Sequence, residues 1–154
     1  MTTDRPIRVL FLCTHNSARS QMAEGLLRAR GGGAYEALSA GTEATRVRPE
    51  AIEVMAELGI DISGQASKTL EPFLGQPIDW LITVCDQARE ACPTLPGVAN
   101  QLHWSIPDPA AVNGSAEERL AAFRAARDDL AGRIEAFLAA GPDLRASSRR
   151  ASIG

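Results

Sequence analysis

Short apolar runs and stretches with apolar residues three and four positions apart alternate along the chain, and that alternation predicts its architecture. Residues 8–12 are apolar almost throughout, as a strand covered on both faces should be. Residues 21–30 then carry Met22, Ala23, Leu26 and Leu27 on one helical stripe, with Ser17 or Ser20 as cap and Gly31, Gly32 and Gly33 as the stop. A second strand spans 35–39 and is broken by Ala40, Gly41 and Thr42. Pro49 suits a first helical turn, and Ala51, Ile52, Met55 and Leu58 repeat at helical spacing until Gly59. Residues 61–77 read as irregular, with one short turn near 70–74.

A third strand is expected at 79–84, one or two helical turns at 86–91, and a fourth strand at 100–104. The last helix, 115–140, aligns Leu120, Phe123, Leu130, Ile134, Phe137 and Leu138. Ser115 followed by Glu118 is a capping-box pattern, and Gly141-Pro142 closes the helix. Strands alternating with helices, without internal repeats, predict an α/β fold: a four-stranded parallel sheet flanked by helices on both faces. One domain over 1–140 is expected, followed by a flexible tail, 141–154. Ligands of such sheets bind beyond the carboxyl ends of the strands. Cys13 ends the first strand, Cys85 the third, and Asp108 lies just past the fourth, so all three belong to one edge.

At that edge stands Cys13-Thr14-His15-Asn16-Ser17-Ala18-Arg19-Ser20, a cysteine and an arginine bracketing a loop between strand and helix. The amides of Thr14, His15, Asn16, Ser17, Ala18 and Arg19 form an anion cradle, strengthened by the positive end of the helix. Arg19 can fork onto two oxygens of a tetrahedral anion. Cys13 as thiolate is a nucleophile in the cradle's floor, with the Ser20 hydroxyl a donor to its sulfur. A cysteine and an arginine with five residues between them are common by chance; the flanking strand and helix give the pair weight.

The formal net charge of −3 argues against a general nucleic-acid binder and leaves anion capture to local geometry. No stretch is apolar enough to span a membrane, and the first apolar run is too short for a signal-peptide core, so a cytoplasmic protein is expected. Three cysteines do not pair evenly, and a reducing compartment disfavours structural disulfides. Cys13, Cys85 and Cys92 are therefore reactive thiols, metal ligands or buried bystanders. His15 and His103 lie at no metal-ligand spacing from a cysteine pair, so no metal is expected.

The loop 13–20 resembles the phosphate loop of the low-molecular-weight tyrosine phosphatases and of the arsenate reductases that share their fold. Ile106-Pro107-Asp108-Pro109 is similar to the segment carrying that superfamily's general acid. Thr83-Val84-Cys85-Asp86, with Cys92-Pro93 beyond it, resembles the redox segment of the thioredoxin-coupled arsenate reductases. Ser39-Ala40-Gly41-Thr42 and Gly59-Ile60-Asp61-Ile62-Ser63 also match family segments, so the likeness covers about residues 7–140. Two segments depart from the pattern: Ala18 replaces a second loop cysteine, and Ala110 and Ala111 follow Asp108-Pro109 where the phosphatases carry an aromatic residue.

The resemblance implies arsenate reduction by three thiols: Cys13 attacks, Cys85 and then Cys92 resolve, and thioredoxin or a related dithiol regenerates the pair. Ser20, Arg19 and Asp108 complete the implied catalytic set. Cys85 and Cys92 are seven residues apart, about 10 Å along a continuous helix, whereas a disulfide needs Cα atoms within about 7 Å. The segment must refold when they join. Some family members hold potassium beside the loop. Asn16, Glu24 and Ser39 match part of that site, but Ala66 and Lys68 stand where further oxygen ligands belong. No tightly bound cofactor is expected, and potassium is left open. The partners expected are arsenate or phosphate and the dithiol reductant, with no nucleic acid or membrane, for a monomeric chain. The alternatives are a phosphatase acting on phosphate monoesters and a non-catalytic thiol module that binds oxyanion or arsenite.

Overall fold

A computed structural model describes residues 5–85 and 97–141; the turns expected at 86–91, Cys92 and the tail from 142 lie outside the described residues. Strands β1 (Ile7–Cys13), β2 (Tyr35–Gly41), β3 (Ile78–Thr83) and β4 (Val98–His103) form one parallel sheet in the order β2-β1-β3-β4. Among the described residues the α-helices are α1 (Arg19–Gly31), α2 (Pro49–Ala56) and α3 (Ala116–Ala140), which pack against one another. The expected α/β architecture is the one observed.

Side chains alternate across the sheet, and both faces are covered. On one face Phe137 of α3 meets Tyr35, Trp80 and Trp104, with ring centroids 6.1, 5.4 and 6.5 Å away. On the other, Leu10, Leu12 and Leu81 are buried as well. This explains why β1 reads as a continuous apolar run: neither face offers a polar position water. The capping box forms as expected, Ser115 accepting from the Glu118 amide at 3.1 Å and Glu118 from the Ser115 amide at 2.8 Å.

Three expectations are corrected. Strand β2 continues through Ala40 and Gly41, pairing Gly41 with Cys13. A Cβ at Gly41 would stand 2.6 Å from Glu43 O and 2.8 Å from both Asn16 N and Thr14 O, so the glycine lets the Cys13 loop close onto β2. Helix α1 buries more than a stripe: every residue from Ser20 to Leu27 is buried, because β1, β2, α2 and α3 enclose its first two turns. Lastly, neither Ser17 nor Ser20 caps α1. Ala18 is the N-cap, with no side-chain bond and no acidic residue in the first turn. An uncapped N-terminus leaves its amides to an anion.

Candidate active site

The sheet register brings three strand ends to one edge. The Val84 amide donates to Leu12 O at 2.9 Å and the Trp104 amide to Thr83 O at 2.8 Å, so the segments leaving β1, β3 and β4 run side by side. Cys13 closes β1, Cys85 follows β3, and 105–108 follows β4.

Cys13 is buried, its Sγ 2.9 Å from Ser20 Oγ. The direction of that bond follows from the neighbours. The Lys68 backbone N–H donates to one side-chain atom of Asn16 at 2.8 Å, and only an oxygen can accept it; the other atom is therefore the amide nitrogen. That nitrogen donates to Ser20 Oγ at 2.8 Å, which leaves the hydroxyl hydrogen for the Cys13 sulfur. Of the two roles expected of Ser20, the structure gives the donor to sulfur and not the cap.

Asn16 is the one non-glycine residue with positive φ, at 49°, among the described residues. Asparagine enters that left-handed region more readily than most residues, and here its side chain is held on both sides. Gln21 Nε2 donates to Asn16 O at 3.0 Å, to Asn16 Oδ1 at 2.9 Å and to Ala66 O at 3.0 Å. Gln65 Nε2 in turn donates to Gln21 O at 3.1 Å and Gln21 Oε1 at 2.7 Å. Neither glutamine was among the expected site residues. The available signal was a polar residue in the first turn of an otherwise apolar helical run.

Behind this layer Ser39 Oγ donates to Glu24 Oε1 at 2.5 Å, Arg28 pairs with Glu24, and Lys68 Nζ donates to Ala66 O at 2.8 Å. Lys68 Nζ stands 3.8 Å from Glu24 and 3.5 Å from Ser39 Oγ. Burial, opposed by Glu24 and helped by Arg28, draws the Lys68 pKa below its ordinary value. Glu24 and Ser39 are in contact, and Lys68 links them to Asn16; Arg28 and Lys68 already counter the carboxylate, and Asn16 Oδ1 already accepts two N–H groups. This donor set does not fit a further cation. Among the described residues, no group of three His, Cys, Asp or Glu side chains is placed to hold a metal.

In front, a cavity of about 160 Å³ is lined by Cys13, His15, Ser17, Ala18, Arg19, Arg48, Asp108 and Ala110. Arg19 Nη1 donates to Ile106 O at 2.9 Å, which anchors the guanidinium, and its Nη2 lies 3.7 Å from Asp108 Oδ2. Asp108 Oδ1 accepts from the Ala110 amide at 2.9 Å and caps a short 3-10 turn, Pro109–Ala111. Of the loop residues expected to hold the anion, His15, Ser17, Ala18 and Arg19 line the cavity. The side chain of Asn16 lies behind the loop, and Thr14 Oγ1 is 3.3 Å from Cys85 Sγ, which is itself buried. Arg48 joins the lining, its amide bonded to Ser17 O at 2.8 Å.

A sulfur under a hydroxyl donor, a forked cation, an uncapped helix N-terminus and a carboxyl across a small cavity together equip a cysteine-based site for tetrahedral oxyanions. The family model for "Low molecular weight phosphotyrosine protein phosphatase" matches residues 8–147, and the chain belongs to that family. It is similar to the arsenate reductase of Halalkalibacterium halodurans, 44% identical over 133 residues that make up 86% of this chain and 96% of the relative. A solved arsenate reductase in its phosphate-binding state superimposes with a TM-score of 0.72 at 36% identity, covering 86% of this chain and 97% of the other. The thioredoxin-dependent arsenate reductase of Corynebacterium glutamicum gives 0.59 at 28% identity over 87% of this chain and 64% of its own. Relatives of this kind are enzymes, and so is this chain.

Proposed function

We propose that the chain reduces arsenate to arsenite through a relay of three thiols. The loop amides and Arg19 hold arsenate. The Cys13 thiolate attacks arsenic, forming an S–As bond, while Asp108 gives a proton to the departing oxygen, which leaves as water. Cys85 then attacks the Cys13 sulfur. The S–As electron pair passes to arsenic, which departs as arsenite, and a Cys13–Cys85 disulfide remains. Cys92 attacks Cys85, freeing Cys13, and a dithiol of the thioredoxin class reduces the Cys85–Cys92 disulfide by exchange.

The observation that carries the reading is Cys85 itself, whose sulfur lies against the hydroxyl of the residue next to Cys13, 3.3 Å away. Hydrolysis of a cysteine adduct by water has no use for a second thiol there. Ala110 in the cavity wall also leaves an aryl ester without an aromatic face to stack on. No monovalent ion enters the proposal, since the Lys68 ammonium supplies positive charge behind the loop. The names of the relatives support arsenate as substrate, and the C. glutamicum protein's name supports thioredoxin as donor.

Reduced protein mixed with thioredoxin, thioredoxin reductase and NADPH should consume NADPH only when arsenate is added. No consumption, together with rapid cleavage of an aryl phosphate, would overturn the reading in favour of a phosphatase.

A further inference from the structure

The cavity that holds Cys13 shares part of its wall with a larger one. His15, Ser17 and Arg48 line both, and the outer cavity, about 350 Å³, adds Thr45, Arg46 and Pro49. A bare tetrahedral oxyanion needs only the inner volume of about 160 Å³. The outer one reaches the size of pockets that take small organic molecules, from about 300 Å³ upward.

The charge of the outer cavity is also uneven. Arg46 is exposed and pairs with no carboxylate among the described residues. Arg48 lies 3.9 Å from Glu50, but Glu50 is engaged more closely by Arg119, which leaves the Arg48 guanidinium largely uncommitted. Glu43 is the other acidic neighbour, 3.8 Å from His15 Nε2. Thr45 is fixed in the wall, its hydroxyl donating to His15 O at 3.2 Å and its amide to Ser67 Oγ at 2.9 Å. Two guanidiniums therefore face a formed hollow beside the anion cradle; Arg48 borders both cavities, whereas Arg46 lines only the outer one, beyond a lone arsenate in the inner cavity.

We propose that this hollow is a second anion subsite, and that the protein binds organic phosphate monoesters or phosphonates whose body carries a carboxylate for Arg46 and Arg48. The ligand's phosphoryl group would occupy the Cys13 loop and its carboxylate the arginine pair, a two-point fit of forked donors to planar or tetrahedral anions. The proposal rests on the loop being an oxyanion cradle and not on arsenate being reduced.

Calorimetric titration of the reduced chain tests it with ω-carboxyalkylphosphonates of increasing chain length, each against its neutral methyl ester, with inorganic phosphate as the reference for the loop. At the length that spans the two sites, the free acid should bind about five- to tenfold tighter than its ester, and the difference should shrink as salt is raised. Arg46→Ala should reduce that gain while leaving inorganic phosphate binding unchanged, and adding Arg48→Gln should abolish it. Equal affinity of acid and ester at every length overturns the proposal, as does a gain that survives the double substitution. Binding of inorganic phosphate without either phosphonate overturns it too, because the outer cavity then admits no organic body. Failure of inorganic phosphate itself to bind would overturn the oxyanion cradle as well.

Discussion

Behind the Cys13 loop, Asn16 and Gln21 are fully buried, and their amides reach Ser20, Ala66, Lys68 and Gln65. In front, the Asp108 side chain is 45% exposed, meets Arg19 at 3.7 Å and takes one hydrogen bond, from the Ala110 amide. The rear is saturated and the front is sparse. A buried amide that loses its partners costs about 1–3 kcal/mol, so the rear cannot relax without paying several times over. That rigidity suits a nucleophile that must keep one geometry against the cradle. The sparse front suits a carboxyl group that must exchange a proton and let water and product leave.

If the two sides divide the work in this way, substitutions on each should differ in kind. Cys13→Ser should have the largest effect, lowering arsenate turnover by more than about 10⁴-fold while phosphate still binds the loop within a few-fold. Loss of phosphate binding in that variant would mean that the sulfur holds the cradle's shape and does not only attack. Asp108→Asn comes next, lowering kcat by about 10²–10³-fold with little change in KM, as removal of a general acid does. A rise in KM with kcat intact would instead make Asp108 a gate for Arg19. In Cys92→Ser treated with arsenate, mass mapping should find Cys13 joined to Cys85; two free thiols would remove the relay.

The front of the site was legible in the residues, and the rear only in part: Asn16, Ser20 and Lys68 stood out, Gln21 and Gln65 did not. Cys13, Arg19 and Asp108 sit at ends of apolar runs, and a parallel sheet must bring such ends to one edge. The network of Gln21, Gln65 and Lys68 joins the start of α1 to a segment without periodicity, and no local pattern encodes where an irregular segment crosses the loop. The same holds for Gly41, which reads as a strand breaker yet continues β2, because its lack of a Cβ matters only once the loop lies on it. Ser20 offers two readings, a cap and a donor to sulfur, and the structure keeps only the second. A serine near a helix start is ordinarily a cap, but an uncapped terminus is what an anion site needs.

Asn16 is the sharpest probe of the rear wall. Asn16→Gly keeps the left-handed backbone accessible and removes every side-chain bond; Asn16→Asp keeps the acceptor and loses only the donor to Ser20. Glycine should cost about 1–3 kcal/mol in denaturant unfolding and about ten- to a hundredfold in kcat. Aspartate should retain most of the stability yet lose rate, since Ser20 is no longer held under the sulfur. Equal rates in the two variants would show that the backbone turn alone positions the nucleophile.

The smallest effect is expected far from either side, where Glu57 after α2 bonds Arg124 and Arg127 of α3. Hydrogen bonds from Arg124, then Arg127, hold its pKa down from the ordinary 4.5 to about 2. The folded chain therefore binds this proton less readily than the unfolded one. The contribution to stability is complete above about pH 4.5 and fades as the pH falls towards 2. Glu57→Gln should lower the thermal midpoint at pH 7 by no more than about a few degrees, as expected of an exposed ion pair, and the gap should close on acidification across that window. Turnover at pH 7 should be unchanged. A loss of rate in this variant would mean that the α2–α3 junction tunes the loop through Arg48 at the start of α2, and the division between rigid rear and open front would then have to extend to the helix layer.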